Sequence, residues 1–135
     1  MRDSRWEVAS GDADFAPYLA GQPAASAEMF MRFVELARAC GPVTFELQNG
    51  RVVLRGTRRI FASVRARKQG LDGHINLARS VADRRFRKVE MLTKRLYFHR
   101  YGVTSLSELD EQFGRWLCEA REIGDGSHLT DSDVT

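Results

Sequence analysis

The chain has 135 residues, of which 43% are hydrophobic and 29% charged, the proportions of an ordinary globular domain. Its formal net charge of +3 conceals a separation of sign: residues 51–100 carry fifteen basic and three acidic side chains, a net of +12, whereas the rest of the chain carries −9. No apolar run approaches the roughly 18 residues of a membrane span, and the N-terminus lacks a secretory signal, so we expect a cytoplasmic protein without membrane association.

The N-terminal part of the chain predicts a flexible segment followed by a helix. Residues 1–14 are expected to be flexible, and Phe15–Leu19 is expected to form a short helical turn. A longer helix follows, with Ser26 as its N-cap and Gly41-Pro42 as its stop. Between these points apolar residues recur at spacings of three, four and seven, which predicts one buried face.

Six segments after this helix alternate apolar and polar side chains, the period of a half-buried strand. Asn49-Gly50 separates the first two and favours a type I′ hairpin turn, because both turn positions need a positive φ. In the last segment we expect Leu96 and Phe98 to face the core. The six segments cover residues 43–47, 51–55, 60–65, 71–77, 86–91 and 95–103.

A closing helix is predicted from Ser105 onward. Ser105 and Glu108 form a capping-box pattern, apolar residues including Leu106 share one face, and Gly124 is the expected stop. The predicted fold is therefore α+β: an antiparallel meander sheet of five or six strands, one face covered by an N-terminal and a C-terminal amphipathic helix. We expect a single domain over residues 15–124 and a mobile acidic tail over residues 125–135.

No pattern of catalytic or cofactor-binding residues accompanies this fold. Cys40 and Cys118 fall on apolar helix faces, and buried reduced thiols are favoured over a disulfide or a pair of metal ligands. The three histidines lack the spacing of a metal site, and no nucleophile motif or phosphate-cradling glycine loop is present. We therefore expect neither a metal nor a cofactor, and a protein that is not an enzyme.

The basic middle of the chain predicts an anion-binding surface. Basic and aromatic side chains on one sheet face could meet the phosphates and bases of single-stranded nucleic acid, or another polyanion. A merely solvated polar face is the alternative interpretation. The positions expected to face outward are Arg51, Arg55, Arg65, Arg67, His74, Asn76, Arg87, Lys88, Tyr97, His99 and Tyr101.

Two other interpretations and one ambiguous segment stay open. A small molecule or anion could bind a pocket between sheet and helices, with Arg58, Arg59 and Lys94 at its mouth. A protein-interaction module would instead use the acidic helix positions around Glu108, Glu111 and Glu119. The run Asp83–Lys88 could clamp a phosphate backbone or guard a sheet edge against aggregation.

Several segments resemble a small bacterial family, common in actinobacteria, that is catalogued as domain of unknown function 5655. The resemblance spans roughly residues 15–125 and rests on Leu19–Pro23, Ala39–Pro42, Gly56–Ala62, the Leu71 strand, Thr93–His99, Ser105–Asp110 and Trp116–Ala120. It implies a compact stand-alone domain and no known activity. The order of elements and the Phe61-Ala62 pair are more distantly similar to the MmcQ/YjbR proteins, which are often labelled as putative DNA-binding.

Overall fold

A computed structural model describes residues 5–7 and 15–126. The flexible segment expected at 1–14, apart from residues 5–7, and the tail beyond residue 126 lie outside the described residues. The helices are α1 (Ala16–Leu19), α2 (Ala24–Arg38) and α3 (Glu111–Gly124), with a 3₁₀ turn at Leu106–Glu108; the strands are β1 (Arg5–Glu7), β2 (Thr44–Gln48), β3 (Arg51–Arg55), β4 (Ile60–Arg67), β5 (Gly70–Leu77), β6 (Phe86–Thr93) and β7 (Leu96–Val103).

The strands form one antiparallel sheet in the order β1-β2-β3-β4-β5-β7-β6. Neighbours in sequence pair throughout, except that β5 pairs with β7 and the connection after β5 crosses to the edge strand β6. Helices α2 and α3 pack on one face, over the central strands. The α+β prediction, with a sheet covered on one face by two amphipathic helices, is confirmed. None of the described helices is long and apolar enough to cross a membrane.

The Asn49-Gly50 hairpin is confirmed. Gln48 pairs with Arg51 across the turn, and both turn residues have a positive φ, 53° for Asn49 and 79° for Gly50. Glycine takes this conformation at no steric cost, and asparagine tolerates it better than most residues. The turn therefore fixes the register that places Phe45 opposite Leu54 on the helix-facing side.

Both predicted helix starts need correction. Helix α2 begins at Ala24 after Pro23, whose fixed φ prepares a helical start. Ser26 is buried inside the first turn, where its hydroxyl donates to the Arg67 carbonyl oxygen instead of capping the helix. The Ser105 capping box closes the 3₁₀ turn, whereas α3 is capped by Asp110, which accepts from the Phe113 amide at 2.9 Å.

One aromatic-rich core lies between the helices and the sheet. Phe33, Phe45, Leu54, Phe113 and Trp116 are all buried there. The Phe33 and Phe113 rings meet edge-to-face at 5.9 Å, a preferred arrangement of aromatic pairs. Leu106, expected in this core, is exposed on the 3₁₀ turn instead.

The predicted orientation of β7 is wrong. His99 and Tyr101, expected outward, are fully buried against the helices. Tyr97, also expected outward, shares their side and is partly buried. Phe98, expected in the core, lies on the opposite face with Arg100. Because side chains alternate along a strand, one wrong parity reversed every position of β7.

Internal hydrogen bonds allow the two buried polar rings of β7 to occupy the core. The Tyr101 hydroxyl donates to the Ser63 carbonyl oxygen at 2.8 Å. Gly73 leaves room for this hydroxyl, since a Cβ at Gly73 would lie 2.8 Å from the Tyr101 hydroxyl oxygen. His99 Nε2 accepts from the Val81 amide at 3.0 Å. Burial raises the pKa of Tyr101 well above its usual value and lowers that of His99, so both rings are neutral at pH 7.

The two cysteines form a disulfide, which corrects the expectation of reduced thiols. Cys40, just beyond α2, is bonded to Cys118 in α3. Helices α2 and α3 pack together, and the turn after α2 brings the Cα atoms of Cys40 and Cys118 to 5.1 Å, within the range of disulfides. Their separation of 78 residues in the sequence concealed this proximity.

Candidate anion-binding face

The sheet face opposite α2 and α3, here called the open face, gathers most of the predicted basic residues. One row across the sheet places Ser63, His74, Arg100 and Lys88 side by side. In the next row Arg65 lies opposite Asp72 and Asp72 opposite Gly102. Neighbouring strands are about 4.8 Å apart, so the rows extend roughly 20 Å from β3 to β6.

Two depressions share residues and form one path, here called the basic groove. The inner one lies on the open face, and the outer one continues from it to the end of the sheet at the β4–β5 turn. The inner depression has a volume of about 480 Å³ and the outer one about 620 Å³. Both are lined by Asp72 and Arg87, which join them. The charged residues lining the inner depression are Arg51, Arg65, Asp72, Arg87, Lys88 and Arg100. The outer one adds Arg67 and Lys68, at the turn between β4 and β5.

Acidic side chains neutralise only part of this charge. Asp72 accepts from Arg65 at 3.3 Å and from Arg67 at 3.2 Å. Lys88 lies 3.3 Å from Glu90. Since Asp72 is the single acid lining the groove against seven cations, the groove retains a strong positive field that attracts anions.

Three arginines of the inner depression have no ion-pair partner within residues 15–126. Arg51 comes from β3, Arg87 from β6 and Arg100 from β7. By contrast Arg55, predicted for this face and present on it, is bound to Glu46 at 2.7 Å. The unpaired guanidinium groups are therefore the charged donors of the inner depression that are available to a ligand.

The absence of a side chain at Gly102 leaves the space in which the exposed Arg87 guanidinium lies over the sheet. A Cβ at Gly102 would lie 2.4 Å from the Arg87 guanidinium carbon, far closer than van der Waals contact allows. The arginine occupies the space that any other residue would fill. The backbone thus positions one cation of the inner depression.

His74 forms an uncharged part of the floor. Its Nδ1 lies 2.7 Å from the Ser63 hydroxyl oxygen, which also accepts from the His74 amide at 3.2 Å. If Nδ1 carried the ring hydrogen, the hydroxyl hydrogen of buried Ser63 would have no acceptor within residues 15–126. The hydroxyl therefore donates to Nδ1, and the hydrogen of the ring lies on Nε2. Burial and then the Arg51 charge lower the pKa of His74 to about 4, so the ring is neutral at pH 7. It stacks on Phe98 at 4.6 Å with an interplanar angle of 11°.

This histidine–serine contact does not resemble a nucleophilic pair. Ser63 has no exposed surface, so its hydroxyl cannot reach a substrate, and it already serves the ring and the backbone of His74. Across the described part of the chain, no three His, Cys, Asp or Glu side chains lie close enough together to hold a metal ion.

The run Asp83–Lys88 divides between two roles. Arg85 is buried, donates to Asp83 and Asp110 at 2.9 Å, and lies 4.7 Å above the Trp116 ring, so it fastens the edge of the sheet to α3. The bound arginine lowers the pKa of Asp83 below its usual value. Only Arg87 and Lys88 of this run reach the groove.

The three cations proposed for a pocket between sheet and helices lie elsewhere. Arg58 and Arg59 occupy the β3–β4 loop, where their amides donate to the Gly124 carbonyl oxygen at 2.8 and 3.0 Å. Lys94 lies in the β6–β7 turn. None of the three lines either depression, so the structure does not bring them into one site.

Two groove residues were not predicted from the sequence: Phe98 was expected in the core, and Arg100 was not named. A usable signal was present at the end of the same strand. Val103 is apolar and Arg100 is charged, and these residues have opposite parity. A charged residue at an inward position of a buried strand is costly, so this pair assigns the odd-numbered residues to the core.

The chain belongs to the family described as a domain of unknown function, DUF5655, whose family model matches residues 15–123. The match covers α1, α2, all of α3 except its last residue, and every strand from β2 to β7. No curated protein and no solved structure matches the chain.

Proposed function

We propose that this domain is a non-enzymatic module that binds single-stranded nucleic acid through the basic groove. The observation that carries the proposal is the lining of that groove: seven cations and one acid along two joined depressions. Binding would come mainly from counterions displaced when Lys and Arg meet phosphates. Two joined depressions lined by cations offer a continuous path for an extended strand.

The aromatic contribution comes from Phe98 and His74 rather than from the tyrosines first expected. Their stacked rings border the inner depression, beside Arg100. An unpaired base can pack against such rings, whereas the bases of a duplex are already stacked. This difference supports a preference for single strands.

The order of elements and the disulfide bond bear on the proposal in opposite directions. The order of helix, antiparallel strands and closing helix is similar to the MmcQ/YjbR proteins, a fold-level analogy that supports function only weakly. A cytoplasmic location and a bacterial origin belong to the proposal. The Cys40–Cys118 bond argues against that location, because cytosolic thiols are normally kept reduced.

Binding of fluorescent oligonucleotides across a range of salt concentrations tests the proposal. Four or five phosphate contacts predict a log–log slope of about −3 for a single strand, at about −0.7 per contact. Arg100→Gln should flatten the slope by about one contact, whereas Lys94→Gln, outside the groove, should leave it unchanged. Phe98→Ala should weaken binding by about 1–3 kcal/mol at constant slope, because stacking displaces no counterions. Absence of binding at about 50 mM salt, or tighter binding to a duplex of the same length, contradicts the proposal.

A small phosphorylated molecule is the second candidate ligand, favoured by the inner depression. Its volume of about 480 Å³ lies within the range of small-molecule pockets, and it is on the open face rather than between sheet and helices. A mononucleotide that binds as tightly as an oligonucleotide would favour this candidate.

The acidic positions considered for a protein-interaction module are, by contrast, partly occupied by ion pairs within the domain: Glu119 binds Arg79 at 3.0 Å and Glu108 pairs with Arg84.

A further inference from the structure

We propose that the inner depression is the subsite for a terminal phosphomonoester, so that the groove recognises the phosphorylated end of a single strand. This inference rests on the proposed function, because the remainder of the strand would occupy the outer depression. It assigns different roles to the two halves of the groove. The outer half would attract any phosphate backbone, and the inner half would select its end.

The number of donors in the inner depression favours a terminal phosphate over an internal one. Arg51, Arg87 and Arg100 reach it from three different strands and carry no ion pair with any residue of 15–126. A terminal phosphomonoester offers three acceptor oxygens and a charge of about −1.5 to −2 at pH 7. An internal phosphodiester has only two non-bridging oxygens and one charge. Three separate guanidinium groups therefore match the terminal group better.

The charge balance favours the same ligand. Five cations line the inner depression, against Asp72 alone. That carboxylate is already held by Arg65 and by Arg67, so it presents little free negative charge to a phosphate. An anion with a double charge gains more from this field than one with a single charge.

His74 adds a neutral donor to the floor. With its hydrogen on Nε2 and Nδ1 occupied by Ser63, the ring can donate one bond to a phosphate oxygen. The charged groups around it are Arg51 on β3, Arg65 on β4, Asp72 on its own strand, Arg100 on β7, and Arg87 and Lys88 on β6. No acid within residues 15–126 accepts from the ring, so its donor remains for a ligand.

Oligonucleotides of one sequence with a 5′-phosphate, a 3′-phosphate or hydroxyl groups at both ends provide the test. The full-length protein should bind one phosphorylated form at least about tenfold more tightly than the hydroxyl form, equivalent to about 1.4 kcal/mol. Arg100→Gln should bring this ratio close to one. Lys68→Gln, which alters only the outer depression, should weaken all three oligonucleotides by a similar factor and preserve the ratio.

The possible outcomes separate this inference from the proposed function. If all three oligonucleotides bind within about twofold of one another, the end-recognition subsite is wrong and the groove remains a general strand-binding surface. If no oligonucleotide binds, both proposals fail. A nucleoside monophosphate that binds as tightly as the phosphorylated oligonucleotide also overturns strand-end recognition, because the rest of the strand would then contribute nothing. Inorganic phosphate should compete with the phosphorylated form more strongly than with the hydroxyl form.

Discussion

Reduction of the Cys40–Cys118 bond should cost the domain a large part of its stability. The bond links the end of α2 to α3 and closes a loop of 78 residues. In the chain-entropy treatment, a loop of this length restricts the unfolded chain by about 4.5 kcal/mol at 25 °C. Since the free energy of unfolding of a small domain is about 5–15 kcal/mol in total, this loss of stability would be easily measured.

Urea denaturation with and without reductant measures this contribution, with the fluorescence of buried Trp116 among the signals. For a slope of about 2 kcal/mol per molar urea, a loss of about 4 kcal/mol lowers the midpoint by about 2 M. The Cys40→Ala/Cys118→Ala variant is the control, and reductant should leave its midpoint unchanged. Two readily titrated thiols in the non-reduced native protein, or a loss below about 1 kcal/mol, would refute the reasoning.

Three further predictions follow from the core and the groove. His74 has a pKa of about 4 in the folded protein, below the value of about 6.5 in the unfolded chain, so the unfolded state takes up the proton first as the pH falls. The free energy of unfolding should therefore fall by about 2 kcal/mol from pH 7 to pH 5. In urea denaturation, His74→Gln should show a smaller fall than the native protein. Phe113→Ala should cost about 3–5 kcal/mol in the same assay, and a loss below about 1 kcal/mol would show that α3 does not pack as described. Gly102→Ala should shift the Arg87 guanidinium and weaken oligonucleotide binding by less than Arg87→Gln, because the displaced arginine keeps its charge; unchanged affinity would contradict this contact.

Local signals in the sequence were sufficient for most of the architecture. The Asn49-Gly50 turn has a single favourable geometry, and it fixed the register of β2 and β3. The apolar periodicity of the two long helices predicted which faces are buried, including Phe33 and Phe113. These features depend on residues close together in the chain, where spacing translates directly into geometry.

The errors came from contacts between distant parts of the chain. Burial of the polar rings of β7 depends on the Ser63 carbonyl accepting from Tyr101 and on the Val81 amide donating to His99, and neither partner is close in sequence, although Arg100 and Val103 already indicate the parity of the strand. The same holds for the Cys40–Cys118 bond. To predict the groove, one would also have to know that the Arg87 guanidinium lies over Gly102.

Two matched triple variants test most directly whether the open face binds single-stranded nucleic acid. Arg51→Gln/Arg87→Gln/Arg100→Gln removes the unpaired cations of the inner depression. The control, Arg58→Gln/Lys94→Gln/Arg115→Gln, makes the same change in net charge at positions that line neither depression. With a fluorescent oligonucleotide at about 50 mM salt, the groove variant should lose at least about a hundredfold in affinity, if each contact contributes about 1 kcal/mol or more. The control should lose less than about threefold. Equal losses in the two variants would show that net charge, rather than the groove, attracts the strand, and would contradict the account.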